Sequence, residues 1–268
     1  MFNYDNLKLI STSNISLIFT ATKNNKKYII KSINNEHFKY ADNEIKILKY
    51  LSTYNSDNIQ KLVNAEYLID KIVIILEYIE GIDLYYYAEN IYNNKNLFDI
   101  NTIYDIFYQM ALSIYNIHFW GIVHNDIKLE NFIYGNNKIY LIDFGLSTSY
   151  VDLLNNKLEL SEYTFGGTIN SVAPEIIKRD CKDLRKADIY SLGVAFFNIL
   201  YFSEPYYAYN KRNFFDRDSL IDNRGLLIND NKISFIVKDL ILSMLDINPE
   251  KRPEAHKVLT TMIKYKIV

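Results

Sequence analysis

Hydrophobic positions change their period twice along this chain. Residues 7–12, 17–23 and 27–33 read as short β-type runs, the last two separated by a turn at Lys23-Asn24-Asn25-Lys26. From 36 to 51 the spacing becomes helical, with Ile45, Leu48 and Leu51 on one side and charges between them. Residues 59–68 and 71–79 return to strand, and the second is so continuously apolar that it should be buried on both faces before Gly81 closes it. Beyond this point the chain is mostly helical. Ile103, Ile106, Phe107, Met110, Ile114 and Ile117 recur every three or four residues, which predicts one buried stripe. Ile189, Leu192, Phe196 and Ile199 repeat the pattern, as do Ile233, Ile236, Leu240 and Met244. No Pro/Gly/Ser-rich linker or internal repeat interrupts these segments, so the pattern predicts two lobes of one unit joined near 80–84.

Composition narrows the function classes. A length of 268 residues fits one large domain or two lobes, and 49% hydrophobic with 23% charged residues excludes a disordered chain. Thirty basic against 32 acidic side chains give a net charge of −2, so no basic field exists to hold nucleic acid or an anionic membrane, and neither is an expected partner. The single cysteine, Cys181, excludes an internal disulfide framework and a cysteine zinc cluster. The first residues do not read as a signal peptide, and the longest aliphatic run, 72–76, is too short to span a bilayer. A soluble chain in the cytoplasm is expected.

The unusual polar residues gather in 121–175. His124-Asn125-Asp126-Ile127-Lys128-Leu129-Glu130-Asn131 precedes a Gly135-Asn136-Asn137 turn, an apolar strand at 139–142 and then Asp143-Phe144-Gly145. This order puts Asp126, Lys128, Asn131 and Asp143 on two loops flanking a hairpin, converging on one point. Two carboxylates and an amide suit Mg²⁺, a hard cation wanting oxygen ligands, and a nearby ammonium suits phosphate. Each residue alone reads as a solvated loop side chain; the joint pattern carries the chemistry.

At these residues the chain resembles the eukaryotic protein kinase superfamily. His124-Asn125-Asp126-Ile127 with Asn131 follows the catalytic-loop pattern H-R-D-L-x-x-x-N, and Asp143-Phe144-Gly145 matches the metal-binding D-F-G. Gly167-Thr168 through Ala173-Pro174-Glu175 keeps the spacing of the segment ending in A-P-E. Asp188-Ile189-Tyr190-Ser191-Leu192-Gly193 resembles the start of the long buried helix of the large lobe. Asn248-Pro249-Glu250-Lys251-Arg252-Pro253 resembles the segment with the late Arg of the family, whose partner would be Glu175. The resemblance runs nearly end to end. It implies an α+β, bilobal fold: a small β-rich N-lobe with one helix over about 1–80, a hinge at about 77–84 and a larger, mainly helical C-lobe to 268.

Roles follow from the same resemblance. Asp126 would accept the proton of the substrate hydroxyl, while Asn131 and Asp143 would hold Mg²⁺ bridging the β- and γ-phosphates of ATP. Lys128 would neutralise charge on the transferred phosphoryl group. Lys31 fits the lysine that pairs with the α/β-phosphates. Glu44 is the chosen helix partner for it, although the gap is short for the family and Glu36 is the alternative. Glu77-Tyr78-Ile79 would form the hinge, with backbone near Ile79 meeting adenine, Leu76 as gatekeeper and Asp83 placed to bond the ribose. Ile18, Ile29 and Ile133 would line the adenine slot. Lys128 and Thr168 resemble serine/threonine kinases, so a protein with a Ser or Thr target is the expected partner, and Glu130 would attract basic residues upstream of that target. The sequence leaves oligomeric state open.

Several departures qualify the match. Alignment on Ile18 places Ser11, Ser13 and Ser16 where the glycines of G-x-G-x-x-G would stand. Serine retains the N–H donors and adds hydroxyls, but costs closeness and flexibility, so weaker ATP affinity or slower turnover is expected. A bulky Ile29 in place of the usual Ala adds crowding. Asn125 replaces the Arg that receives an activation-loop phosphate in the family, so phosphorylation of Thr164, which stands where that phosphate would be, is not expected to be required. Residues 203–231 match the family poorly. The leading expectation is a serine/threonine protein kinase; the competing one is a non-catalytic pseudokinase acting as a binding module. A small-molecule kinase of the aminoglycoside or choline type ranks last, because those relatives generally lack the A-P-E, Asp188 and Arg252 features.

Overall fold

The computed structural model describes residues 4–54, 57–149, 171–208 and 220–265. In the N-lobe, β1 (Asp5–Thr12), β2 (Ser16–Lys23), β3 (Lys26–Asn34), β4 (Leu62–Tyr67) and β5 (Lys71–Glu77) form an antiparallel sheet of order β1-β2-β3-β5-β4. The apolar run of β5 takes an inner position between β3 and β4, and Ile72, Val73, Ile74, Ile75 and Leu76 are all buried, as the unbroken hydrophobicity requires. The β2–β3 connection is a two-residue hairpin at Asn24 and Asn25, with φ of 51° and 61°. Left-handed geometry at both positions matches the twist of paired strands, and asparagine tolerates it. Helix α1 (Phe38–Leu51) packs on the sheet through Ala41, Ile45, Leu48 and Leu51, after a 3₁₀ turn at Asn35–His37.

The C-lobe begins with β6 (Ile82–Asp83) and α2 (Leu84–Asn93), whose N-terminus Asp83 caps by accepting the Tyr86 N–H at 2.8 Å. Next come α3 (Ile100–Phe119), β7 (Ile122–Val123), β8 (Phe132–Gly135), β9 (Lys138–Leu141) and β10 (Thr148–Ser149). A second left-handed asparagine pair, Asn136 and Asn137, turns β8 into β9. Gly81 and Gly135 make a close backbone crossing: a Cβ on Gly135 would lie 1.9 Å from the Glu80 carbonyl oxygen, and one on Gly81 2.4 Å from that of Tyr134. Only glycine fits either position.

The remaining described elements are α4 (Pro174–Ile177), α5 (Leu184–Tyr201), β11 (Tyr206–Ala208), β12 (Leu220–Asp222), α6 (Gly225–Asn229), α7 (Phe235–Met244) and α8 (Ala255–Met262). The stripe expected on α3 is fully buried, and Phe107 stacks on Phe196 of α5 at a centroid distance of 4.0 Å. Helix α5 is not amphipathic in the way its four spaced residues suggest; Asp188, Tyr190, Ser191, Gly193, Val194 and Phe197 are buried too, because neighbours surround it. On α7 the buried face is Val237, Leu240, Ile241 and Met244, and Ile236 is exposed, one helical step away from the expected stripe. Among the described residues, no helix is long and apolar enough to cross a membrane.

Candidate active site

Alternation along β3 directs Lys31 inward, opposite Ile18 on β2 and Ile74 on β5. Its buried ammonium donates to Glu44 of α1 at 2.8 and 3.1 Å and to Asp143 at 2.8 Å. Glu44 is therefore the helix partner, and Glu36 lies exposed on the preceding 3₁₀ turn. Burial acts to lower the Lys31 pKa, but the two carboxylates overcome it and hold the group well above the ordinary lysine value. Burial likewise acts to raise the Asp143 carboxyl, yet Lys31 holds it down to about 2. Asp143 thus stays ionised, and the stability it contributes is present above the ordinary carboxylate pKa and lost only as pH falls through about 2.

The loop 124–131 is fixed from below by α5. Asp188 accepts the backbone N–H groups of His124 at 2.8 Å and Asn125 at 2.9 Å, and its Oδ2 lies 2.9 Å from His118 Nε2. His124 contacts the Ile142 carbonyl through Nε2 and accepts the Asp126 N–H through Nδ1, the pattern of the Nε2–H tautomer. Asp126 Oδ2 then meets the Lys128 ammonium at 2.7 Å and the Asn131 amide at 3.1 Å. Asn131 Nδ2 also donates to the Asp126 carbonyl at 2.7 Å. Asp126, Lys128 and Asn131 are thus joined directly, and the Ile142 N–H, one residue before Asp143, donates to the Asn131 carbonyl at 2.9 Å.

The donor set fits Mg²⁺. With Nδ2 committed to Asp126, Asn131 presents Oδ1, a hard oxygen. Asp143 takes Lys31 on Oδ1, its Oδ2 has no part in that bond, and the side chain is 38% exposed. One carboxylate and one amide, completed by water and phosphate oxygens, suit this ion.

The residues expected to line an adenine slot differ in burial. Ile18, Ile29 and Ile133 are each half-buried, between core and surface, and Leu76 behind them is buried. Glu77 is held by Lys61 and Gln60: its carboxylate accepts the Lys61 N–H, and its carbonyl accepts Gln60 Nε2, both at 3.0 Å. Ile79 follows directly after β5. Asp83 reaches its position beside Ile133 through the β6–β8 pairing and also serves as the α2 cap.

Asn125, which stands where the family has an arginine, is bonded within the fold. At φ 66°, it donates through Nδ2 to the Leu146 carbonyl at 3.0 Å and to Thr148 Oγ1 at 3.1 Å, tying the loop 124–131 to β10. Gly167, Thr164 and Thr168 lie outside the described residues.

Three contributors were not singled out from sequence. Tyr40 stands one helical turn before Glu44, so i,i+4 spacing could have placed it on the same face. Its ring lies under the Lys31 ammonium at 5.2 Å, and its hydroxyl donates to Asp143 Oδ1 at 3.5 Å. A Cβ on Gly145 would sit 1.9 Å from that hydroxyl, which explains the glycine of this segment locally. His118 and Gln60 carried no local signal, since their partners are distant in sequence.

A family model for the protein kinase domain matches residues 4–262. The chain belongs to the protein kinase family. Similar proteins include one named as a serine/threonine-protein kinase in Acanthamoeba polyphaga mimivirus, 30% identical over 272 residues covering 99% of this chain and 95% of that protein. A 3-phosphoinositide-dependent protein kinase B of Dictyostelium discoideum is 28% identical over 256 residues, 95% of this chain but 26% of that protein. A serine/threonine-protein kinase of Schizosaccharomyces pombe is 30% identical over 238 residues, 85% of this chain and 48% of that protein. The kinase domain and the names of these relatives support protein kinase activity, and protein kinases generally use ATP and Mg²⁺.

Proposed function

We propose that this kinase transfers the γ-phosphate of ATP to serine or threonine hydroxyls of proteins. The observation that carries the reading is the Lys31 ammonium held between Glu44 and Asp143 at 2.8 Å from each, the arrangement a nucleotide and its metal would meet. ATP would supply the phosphoryl group and Mg²⁺ the charge neutralisation. Asn131 Oδ1 and the Asp143 carboxylate hold the ion, and Lys31 orients the α/β-phosphates. Asp126 receives the proton of the substrate hydroxyl at its carboxylate and aims the oxygen. Lys128, beside it, offsets negative charge on the group in transfer.

The test is transfer of γ-phosphate from Mg·ATP to mixed protein substrates and to the kinase itself, with wild type compared to Asp143→Asn. The expected result is transfer to Ser and Thr by wild type and none by the variant, which has lost the charged metal ligand. Equal labelling from both folded proteins would overturn the assignment. The second reading, a pseudokinase, is favoured by one observation: the loop expected to cover the phosphates is closed on its own serine hydroxyls. Absence of transfer by folded wild type would favour it.

A second prediction concerns activation. Asn125 already secures β10 without a phosphate, so Thr164→Ala, or phosphatase treatment, is expected to leave transfer at the wild-type level. Loss of activity in a folded Thr164→Ala protein would show that an activation-loop phosphate is needed after all.

A further inference from the structure

The turn between β1 and β2 carries Ser11, Ser13 and Ser16 in place of glycines, and its hydrogen bonds differ from the simple expectation that serine leaves the backbone donors available. Ser13 Oγ accepts the N–H of Ile15 at 3.2 Å and the N–H of Ser16 at 3.0 Å. The same hydroxyl lies 3.3 Å from both the Ser16 carbonyl and Ser16 Oγ, and the Ser13 N–H closes the turn on the Ser16 carbonyl at 2.9 Å. A serine hydroxyl has one proton to give and two lone pairs to share. All three are used inside this turn. The hydroxyl oxygen therefore stands where successive N–H groups converge, the kind of concavity that elsewhere receives an anion.

We propose that Ser13 is a built-in competitor for the nucleotide's phosphates. Its Oγ takes the Ile15 and Ser16 N–H groups that the turn would otherwise offer to phosphate oxygens. Binding of ATP must then exchange two existing hydrogen bonds for two new ones, so the turn adds little to affinity. The site would discriminate poorly between nucleotides carrying different numbers of phosphates. This inference rests on the kinase reading of the cleft, and it makes Ser13 a determinant of nucleotide affinity whose removal helps binding.

The experiment is equilibrium titration of the full chain with adenosine, ADP and ATP, comparing wild type, Ser13→Ala, Ser13→Gly and Ser13→Thr. Ser13 is exposed, so the variants should fold, which thermal melting without nucleotide verifies. Ser13→Ala and Ser13→Gly are expected to bind ATP and ADP about 3- to 10-fold more tightly, the net worth of one ordinary hydrogen bond, with adenosine unchanged. Ser13→Ala separates the effect from added glycine flexibility. Ser13→Thr, which returns a hydroxyl to the turn, is expected to bring the affinity back toward wild type. Adenosine binding with ATP affinities that are unchanged or weaker in Ser13→Ala and Ser13→Gly would overturn the proposal alone. Failure of every protein to bind either ATP or adenosine would overturn the nucleotide reading of the cleft, and this proposal with it.

Discussion

Asp126→Ala is expected to lower the rate of phosphoryl transfer by about 10²- to 10⁴-fold, the usual worth of a positioned general base. Asp126 is almost fully buried, and its Oδ2 is fixed by Lys128 at 2.7 Å and by Asn131 at 3.1 Å. Its backbone N–H is fixed too, by His124 Nδ1. A carboxylate held on both sides can aim a substrate oxygen without first losing its own freedom. The loss should fall on kcat and leave KM for ATP little changed, because Lys31 and Asp143 do not contact the Asp126 side chain and Asn131 keeps its 2.7 Å bond to the backbone carbonyl of residue 126. Asp126→Asn should behave nearly as Ala does, since an amide of the same shape cannot take the proton. Steady-state kinetics with a peptide substrate give the split. A variant retaining wild-type kcat would remove Asp126 from the reaction, and one that raised KM for ATP alone would make it a binding residue.

The Lys128 side of the same pair argues for the assignment. Lys128 is about a quarter exposed, so its ammonium can turn to water when its bond to Asp126 is cut. A large drop in rate without a matching drop in melting temperature would then report chemistry and not collapse of the loop.

How much of this was legible in the sequence depends on the range over which each feature is decided. The asparagine hairpins at Asn24-Asn25 and Asn136-Asn137 were legible, because a two-residue left-handed turn is fixed by the residues that form it. The order of Asp126, Lys128, Asn131 and Asp143 was legible through spacing; Glu44 was chosen over Glu36 although its gap from Lys31 is short for the family, and the bonds from Lys31 decide between them. The face of α7 was not. Ile236 is as apolar as Val237, and only the helices packed against α7 decide which of the two turns inward. Helix α5 misled in the other direction: spacing marked four core positions, while a helix surrounded by neighbours buries polar Asp188 and Ser191 as well. Asp188 is affordable there because three donors converge on it from residues far away in the chain. Ser13 shows the finest limit. That its hydroxyl satisfies the turn's own N–H groups depends on local torsions that a residue name does not specify.

Arg252→Ala is expected to cost about 3–5 kcal/mol of stability, the penalty for leaving one member of a buried ion pair without its partner. The guanidinium is among the largest fully buried side chains described, and each of its five N–H donors has an acceptor. Nε donates to the Asp246 carbonyl at 2.7 Å; Nη1 donates to Glu175 Oε1 at 2.5 Å and the Lys186 carbonyl at 2.8 Å. Nη2 donates to Glu175 Oε2 at 2.8 Å and the Ile247 carbonyl at 3.4 Å. Its removal strands a buried carboxylate and three carbonyl groups together, so α4, α5 and the turn before α8 lose their common tie. Against a total stability of about 5–15 kcal/mol, that is a large share. Arg252→Lys should recover little, because an ammonium cannot reproduce the planar fork. Arg252→Met combined with Glu175→Gln should recover more, since no charge is then left buried alone. Urea denaturation of the three variants decides the matter. If Arg252→Ala loses less than about 1 kcal/mol, the value of a surface pair, then the buried fork is ornament to a lobe held by Phe107, Phe196 and their apolar neighbours.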